Sequence, residues 1–198
     1  MLKKLSLIAL CSASAFALHT AEININDKDL ELGARLDMGQ FNEATEPNTV
    51  FVGAKFLKGD AEHSDFSENS IKDFYELNFL MQREIAGNGL SIGLGVKINH
   101  TKDFTSIPLG IEAAYKLPAS NTVPLYFGAG VYYAPEVLSM EDGNNFLEYR
   151  AHVDIEVIEN GRITVGYRAL DTNYEDSAGS SIKVNYNRSA YAGFKFAF

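Results

Sequence analysis

Histidine, serine and carboxylate side chains are the residues of this chain whose types suit hydrolytic chemistry. The histidines are His19, His63, His100 and His152. A serine hydrolase needs a serine, a histidine and a carboxylate beside an oxyanion hole. Ser64 is only a sequence neighbour of His63, and the absence of helical spacing predicts no strand-to-helix nucleophile elbow. An aspartyl–histidyl protease site, with His63 or His100 and loop acids, is an alternative. The sequence favours no catalytic residue and places His152 in a hydrogen-bond network.

Two acidic stretches raise the question of a metal site. They are Glu141 to Asn145 and Asp171 to Asp176. Calcium takes roughly 6 to 8 oxygen ligands, and neither stretch has the spacing of an EF-hand loop. Our interpretation is that both are solvated loops, and we expect no metal ion and no cofactor.

The N-terminus has the pattern of a cleavable secretory signal. Two lysines precede an apolar run that ends at Leu18, which is too short for a helical membrane span of about 20 residues. The small-x-small sequence that ends at Ala17 fits a cleavage site. The prediction is a signal peptide at 1–17 and one domain at 18–198. Cleavage after Ala21 is a less suitable alternative.

Charge and cysteine content narrow the possible partners. The chain has 17 basic and 26 acidic side chains and a net charge of −9. Nucleic acid is therefore not an expected partner, because phosphate binding needs a basic surface. The lone cysteine, Cys11, lies within the predicted signal, so the mature domain is expected to have no disulfide and no thiol nucleophile.

Residues 89–99 show a clear alternation of period two. One face carries Leu90, Ile92, Leu94, Val96 and Ile98, and the other carries Ser91, Gly93, Gly95, Lys97 and Asn99. Successive side chains of a strand point to opposite faces, so this segment predicts a strand with one apolar face. Similar alternation recurs at 30–37, 75–82, 107–116, 147–157, 163–169 and 182–198.

The connections between these segments alternate between short turns and longer polar loops. The short ones are 86–89, 117–122 and 159–161, and the longer ones are 59–70, 100–105, 135–145 and 171–180. Short turns on one rim and long loops on the other are typical of outer-membrane barrels. The predicted fold class is all-β, a transmembrane antiparallel up-and-down β-barrel of about ten strands. This count includes a short first strand at about Leu18 to Asn26, and eight strands is the alternative.

Alternation alone does not decide which face of the barrel points inward. A soluble, lipocalin-like barrel buries its apolar face, whereas a membrane barrel turns that face to lipid. Charged residues in register on the other face favour the membrane barrel, because a wet or internally paired lumen tolerates them. The predicted lumen-facing polar network consists of Glu148, Arg150, His152, Asp154 and Glu156 on one strand and Arg168, Arg35, Lys97, Glu112 and Lys116 on others.

Aromatic residues add two features to this interpretation. Those near strand ends predict interfacial girdles, and they are Phe104, Tyr115, Tyr132, Tyr133, Tyr149, Tyr174 and Tyr186. The segment from Ile182 onward is predicted to keep one apolar parity and ends with Phe194, Phe196 and Phe198 at alternate positions. This ending resembles the C-terminal signal of barrel-assembly substrates. The expected partners are outer-membrane lipid and the barrel-assembly machinery, and the expected location is the outer membrane of a Gram-negative bacterium.

Four stretches also carry a family resemblance. They are Gly130 to Glu136 with its Tyr-Tyr-Ala-Pro, Val165 to Arg168 with Val-Gly-Tyr-Arg, Ala190 to Phe198, and Asp29 to Gly33. Together they resemble the YfaZ family of proteobacterial outer-membrane proteins, although Ala169 stands where that family more usually has an aromatic. The resemblance covers most of the mature chain and implies an outer-membrane barrel. It implies no catalytic residue and no substrate.

Two functions from different classes fit this fold. The first is a structural or narrow-pore, porin-like barrel, which conducts weakly and with a slight preference for cations, if it conducts at all. The second is a surface receptor or adhesin that acts through its loops, and a barrel hydrolase is a more distant alternative. A lumen crowded with paired charges favours the first, since the loops are of moderate length and mostly acidic.

Overall fold

The computed structural model describes residues 19–27, 29–58, 73–85, 87–102, 104–117, 123–141, 143–175 and 181–198. The predicted signal peptide at 1–17 and the predicted loop at 59–70 lie outside the described residues. Within the described ranges, no helix has the length and apolar character needed to cross a membrane.

In the described part of the chain, ten strands pair antiparallel to form a closed barrel. They are β1 (Thr20–Ile25), β2 (Leu30–Asp37), β3 (Val50–Lys58), β4 (Phe74–Ile85), β5 (Leu90–His100), β7 (Leu109–Leu117), β8 (Leu125–Ala134), β10 (Gly143–Ile158), β11 (Gly161–Glu175) and β12 (Ser181–Ala197). Two short strands, β6 (Phe104–Ser106) and β9 (Ser139–Glu141), lie in the connections and pair with each other.

The first and last strands close the ring. In β1 and β12, Thr20 lies opposite Ala197 and Ile25 lies opposite Ala192. Every other barrel strand pairs with its neighbours in chain order. The prediction of an antiparallel up-and-down barrel of about ten strands, with a short first strand, is therefore confirmed, and the eight-strand alternative is wrong.

The two rims of the barrel differ in their connections. The loop rim carries the connections β1–β2, β3–β4, β5–β7, β8–β10 and β11–β12, and the C-terminal rim carries Phe198. A long connection, residues 38–49 between β2 and β3, also lies on the C-terminal rim. The prediction of short turns on that rim is wrong at this connection. Asp37 holds this connection at both ends, because its carboxylate accepts hydrogen bonds from the backbone N–H groups of Gly39 and Asn48 at 3.0 and 2.7 Å.

The apolar face of the strands is the outer face of the barrel. In β5, Leu94 is 67% exposed, while the neighbouring Lys97 and Asn99 are buried in the interior. The same arrangement recurs around the ring, where large aliphatic and aromatic side chains are exposed on alternate positions of most strands. Polar and charged side chains are thus buried inside the barrel.

A β-bulge in β12 changes which face its residues occupy. Leu170 of β11 pairs with Asn187, but the next residue, Asp171, pairs with Asn185, so Tyr186 is the extra residue. Both Tyr186 and Asn187 are buried. The prediction of a single parity from Ile182 to the C-terminus is therefore wrong, because a bulge sets two residues of one strand against one of its partner.

The predicted aromatic girdles need a second correction. Phe104, Tyr132 and Tyr186 are buried inside the barrel, and they are not interfacial. Tyr133 and Tyr149 are exposed on the outer face, where Tyr115 is half-buried, and the side chain of Tyr174 lies outside the described part of the structure. Proximity to a strand end was a poor criterion. Parity places Tyr132 on the same face as the inward Gly130.

Candidate functional site

The interior of the barrel is the only part of the described structure where the predicted polar residues converge. It contains two layers. The charged layer is defined by Asp29, Glu31, Arg35, Glu76, Lys97, Glu112, Glu148, Arg150 and Arg168. The apolar layer, nearer the loop rim, is defined by Leu57, Phe74, Phe104, Ala134, Phe146, Leu170 and Tyr186.

Lys97 joins two carboxylates from different walls of the barrel. Its Nζ lies 2.8 Å from both carboxylate oxygens of Glu148 and 3.0 Å from Oε2 of Glu76. The same ammonium lies 4.1 Å from the ring centroid of Tyr132. Lys97 is on β5 and Glu148 on β10, with β7 and β8 between them, so this ion pair ties together strands that do not pair.

Two arginines meet Glu31 in the middle of the barrel. Arg150 donates from Nη1 and Nη2 to the two oxygens of Glu31 at 2.7 and 2.9 Å, which joins β10 to β2. Arg168 has no exposed side-chain surface, and its Nη1 lies 3.3 Å from Glu31. Its other nitrogens donate to Asp29 at 3.2 Å and Asn187 at 3.0 Å. The planar guanidinium suits such multiple contacts.

A third tie crosses the barrel nearer the C-terminal rim. Arg35 on β2 donates to Glu112 on β7 at 3.3 Å. The hydroxyl of Tyr132 donates to the other oxygen of Glu112 at 2.7 Å. Gly95 and Gly110 leave room for the Tyr132 ring, because a Cβ at either position would collide with it. Small residues of two neighbouring strands thus make the space that this polar bridge needs.

The remaining predicted network residues lie toward the C-terminal rim. Asp154 accepts hydrogen bonds from Thr164 and Lys195, both at 2.8 Å, and Nε2 of His152 lies 3.9 Å away. Glu156 accepts from the Tyr126 hydroxyl at 2.7 Å. Lys116 is exposed at the rim, with its Nζ 5.5 Å from the Tyr126 ring centroid.

The apolar layer fills the barrel between the charged layer and the loop rim. Each of its members comes from a different strand. Phe104 reaches inward from β6 and packs 5.8 Å from Phe146 and 5.7 Å from Tyr186 between ring centroids. Phe74 lies 6.2 and 5.8 Å from the same two rings. Such spacings are typical of packed aromatic pairs, so the layer resembles the core of a soluble domain.

A cavity of about 240 Å³ occupies the other half of the interior. Its lining extends from Lys97, Glu148 and Arg150 to residues of the C-terminal rim such as Asn48 and Ala197. No residue of the apolar layer lines it. The cavity therefore ends at the charged layer and lies on the side of the C-terminal rim.

Several residues of the charged layer were not among the predicted network residues. They are Asp29, Glu31 and Glu76. Three residues beside the layer were not predicted either: Asn187, which contacts Arg168, and the ion pair of Glu22 with Lys55, whose charged atoms lie 2.7 Å apart. Parity was sufficient to find Glu31 and Glu76, which share a face with Arg35 and Asn78. It did not reveal Lys55, because Phe51 and Leu57 on the same face of β3 are apolar and conceal the alternation.

The candidate hydrolytic residues do not converge in the described structure. His100 is exposed, and its Nδ1 lies 2.8 Å from the Thr105 hydroxyl. His63 and Ser64 lie outside the described residues. The chain does contain one Gly-x-Ser-x-Gly sequence, from Gly89 to Gly93. Its serine, Ser91, lies within β5 opposite Glu84. A nucleophile elbow instead needs its serine at a turn between a strand and a helix.

The acidic stretches show no metal-binding geometry where they are described. Glu141 ends β9, and Asp171 pairs with Arg188 at 2.6 and 2.9 Å. Among the described residues, no group of three histidine, cysteine, aspartate or glutamate side chains is arranged to hold a metal ion.

Comparisons with known proteins add little to this picture. No protein-family model and no curated protein matches the sequence. Among solved structures, one described as "KdgM porin" is similar over 91% of this chain and 98% of that one, with 8% identity and a TM-score of 0.45. Likeness at this level does not carry a function across, and the fold assignment rests on the strand pairing. The resemblance to the YfaZ family stays a prediction.

Proposed function

We propose that this chain is a structural or narrow-pore barrel of the Gram-negative outer membrane, with a closed interior and no catalytic role. One observation carries the proposal: the apolar layer and the cross-barrel ion pairs together fill the path between the cavity and the loop rim. A barrel of about eight strands already leaves little room beyond its side chains, and width grows with strand number. We therefore propose that the described side chains of the ten-strand barrel leave no continuous water path.

The outer surface supports the membrane part of the proposal. From Leu90 to Ile98, the outward positions of β5 are all apolar. This stretch measures roughly 26 Å along the strand at about 3.3 Å per residue. At a tilt of about 40°, it spans about 20 Å of height, close to the apolar band roughly 25 Å tall of outer-membrane barrels. The predicted signal peptide agrees with export, and the C-terminal rim would then face the periplasm.

The charge of the rims would set the ion selectivity of any residual conductance. In the interior, carboxylates and cations pair with one another across the barrel. The whole chain nevertheless has 26 acidic against 17 basic side chains. We therefore propose a weak preference for cations in whatever small conductance exists, with its origin in carboxylates at the ends of the barrel.

Planar-bilayer recording of the refolded protein tests the closed interior. We expect no steps, or very small ones, for the unaltered chain. The double variant Phe104→Ala/Phe146→Ala should conduct more, because it removes the two rings at the centre of the apolar layer. Phe79→Ala is the matched control, since Phe79 is exposed on the outer face. A large, non-selective pore in the unaltered protein would contradict the proposal.

A further inference from the structure

Four aromatic rings form a continuous row at the C-terminal rim. His19 stacks on Phe41 with ring centroids 5.1 Å apart and meets Phe198 edge-on at 5.8 Å. Phe198 lies parallel to Phe196 at 6.5 Å. We refer to these residues, Phe41, His19, Phe198 and Phe196, as the aromatic row. None of them belongs to the interior layers.

The row crosses the seam where the barrel closes. His19 immediately precedes β1, Phe196 lies in β12, and the backbone N–H of Phe198 donates to the carbonyl of His19 at 2.9 Å. Phe196 shares the outward parity of Phe194, and both are exposed. The row therefore lies where the apolar outer face ends at the C-terminal rim, and Phe41 extends it onto the connection between β2 and β3.

Phe41 is held outward by a well-anchored connection. It is 64% exposed. Its backbone N–H donates to the carbonyl of Met38, and the backbone N–H of Asp37 donates to Nδ1 of His19 at 3.0 Å. At the other end, the side-chain amide of Gln82 donates to Asn48. The backbone of the connection is thus held in place, and the Phe41 ring lies exposed at the rim and stacked on His19.

We propose that the aromatic row anchors the C-terminal rim in the bilayer, with the Phe41 ring at the boundary between lipid headgroups and acyl chains. This inference rests on the proposed function. Lipid is the occupant because the row is continuous with the apolar outer face. Tryptophan and tyrosine are the rings enriched at membrane–water boundaries, because each combines an apolar body with a polar group. In this row the polar group is the imidazole of His19, which stacks on Phe41. The acidic character of the same connection, with Glu43 and Glu46, fits a segment whose other side faces water.

The absence of tryptophan from the chain allows a direct test. Phe41→Trp creates the sole indole, whose fluorescence is quenched by bromine atoms on neighbouring lipids. In vesicles of phosphatidylcholine, we expect stronger quenching by chains brominated near the glycerol than by chains brominated near the methyl end. Two matched reporters set the scale: Phe79→Trp, in the middle of the outer face, and Glu159→Trp, at a turn tip of the same rim.

The outcomes separate this inference from the proposed function. Phe79→Trp should be quenched by deep bromines, and Glu159→Trp by aqueous acrylamide only. If Phe79→Trp is not quenched by lipid, the barrel is not embedded and the proposed function fails. If Phe79→Trp is quenched but Phe41→Trp behaves like Glu159→Trp, the barrel is embedded and the anchor is refuted.

A second reporter is available if the first variant does not fold. Should Phe41→Trp fail to give the heat-modifiable band of a folded barrel, Phe196→Trp reports on the same row. Quenching of that indole by shallow bromines should fall by about twofold when Phe41→Ser is added, because the ring that completes the lipid contact is lost. Unchanged quenching would overturn the role assigned to Phe41.

Discussion

Arg168 is a cation that the barrel encloses completely. A charge removed from water is tolerated only when its partners replace the lost hydration. Arg168 has Asp29, Glu31 and Asn187 around it, and these come from the β1–β2 turn, β2 and β12. The arginine was recognisable in the sequence as lumen-facing. Its pairing with Asp29 was not, since the two residues lie 139 positions apart.

Arg168→Leu should destabilise the barrel strongly. Removing one partner of a buried ion pair typically costs about 3–5 kcal/mol, because the remaining carboxylates stay buried without their cation. The midpoint of urea unfolding of the refolded protein, followed by the heat-modifiable band, measures this loss. Lys116→Leu is the control, since Lys116 is exposed at the rim. Equal midpoints for both variants and the parent would show that Arg168 does not stabilise the fold.

At the scale of the strand, alternation determines the wall of the barrel. Ile111 of β7 is exposed on the outside, while Ala114 of the same strand lines the cavity. Irregularities occur where alternation is interrupted, as at the bulge of Tyr186. Local sequence predicted the regular parts of the strands well. The bulge was missed because alternating apolar residues on both sides of it gave the same apparent parity.

Single cysteines on β7 test this facing. In vesicles, Ile111→Cys should react with a membrane-confined thiol reagent and not with a water-soluble one. Ala114→Cys should show the opposite behaviour when the soluble reagent is present on both sides. The pair Leu94 and Gly95 of β5 suits the test less well, because a side chain at Gly95 would collide with Tyr132. Reversed labelling would mean that the apolar face is not the lipid face.

The last strand carries a prediction about assembly. Phe198 directly follows β12 and contacts His19 across the seam. Deleting Phe198, or Phe198→Ser, should lower the amount of folded barrel in the membrane while leaving secretion unchanged. Quantifying the heat-modifiable band against total exported protein measures this, with Val137→Ser as an exposed control on the loop rim. Normal assembly of the variant would show that the terminal phenylalanines are not an assembly signal.

At the scale of the whole molecule, the barrel is filled differently at its two ends. The half nearer the loop rim has an apolar layer like a soluble core, and the half nearer the C-terminal rim has ion pairs around a cavity. Cross-barrel pairs such as Arg150 with Glu31 brace strands that do not hydrogen-bond to each other. These pairs therefore stabilise the cylinder, and under the proposed function the filled interior also closes it.

The proposed location has a simple expected outcome. Cell fractionation should find the mature protein in the outer membrane. Unheated samples should migrate differently from boiled ones in gel electrophoresis, because a closed barrel resists detergent until heated. A periplasmic protein without an acyl anchor serves as the soluble marker. Recovery of this chain with that marker would show that the barrel is not embedded in the membrane.

The sequence by itself predicted about ten strands, their up-and-down order and most of their facing, and the structure decided for ten over eight. These depend on period-two alternation and on turn chemistry, both of which are local. It also identified Lys97, Glu148, Arg150 and Arg168 as residues of the inward face. Only the tertiary structure decided which charge meets which, because the pairs join residues such as Arg150 and Glu31, 119 positions apart. Ring closure and the stagger between strands decide which side chains meet, and the parity of a single strand predicts neither. For the same reason, the apolar layer was invisible in the sequence: each strand contributes too few apolar side chains to it, and they form a core only when the barrel closes.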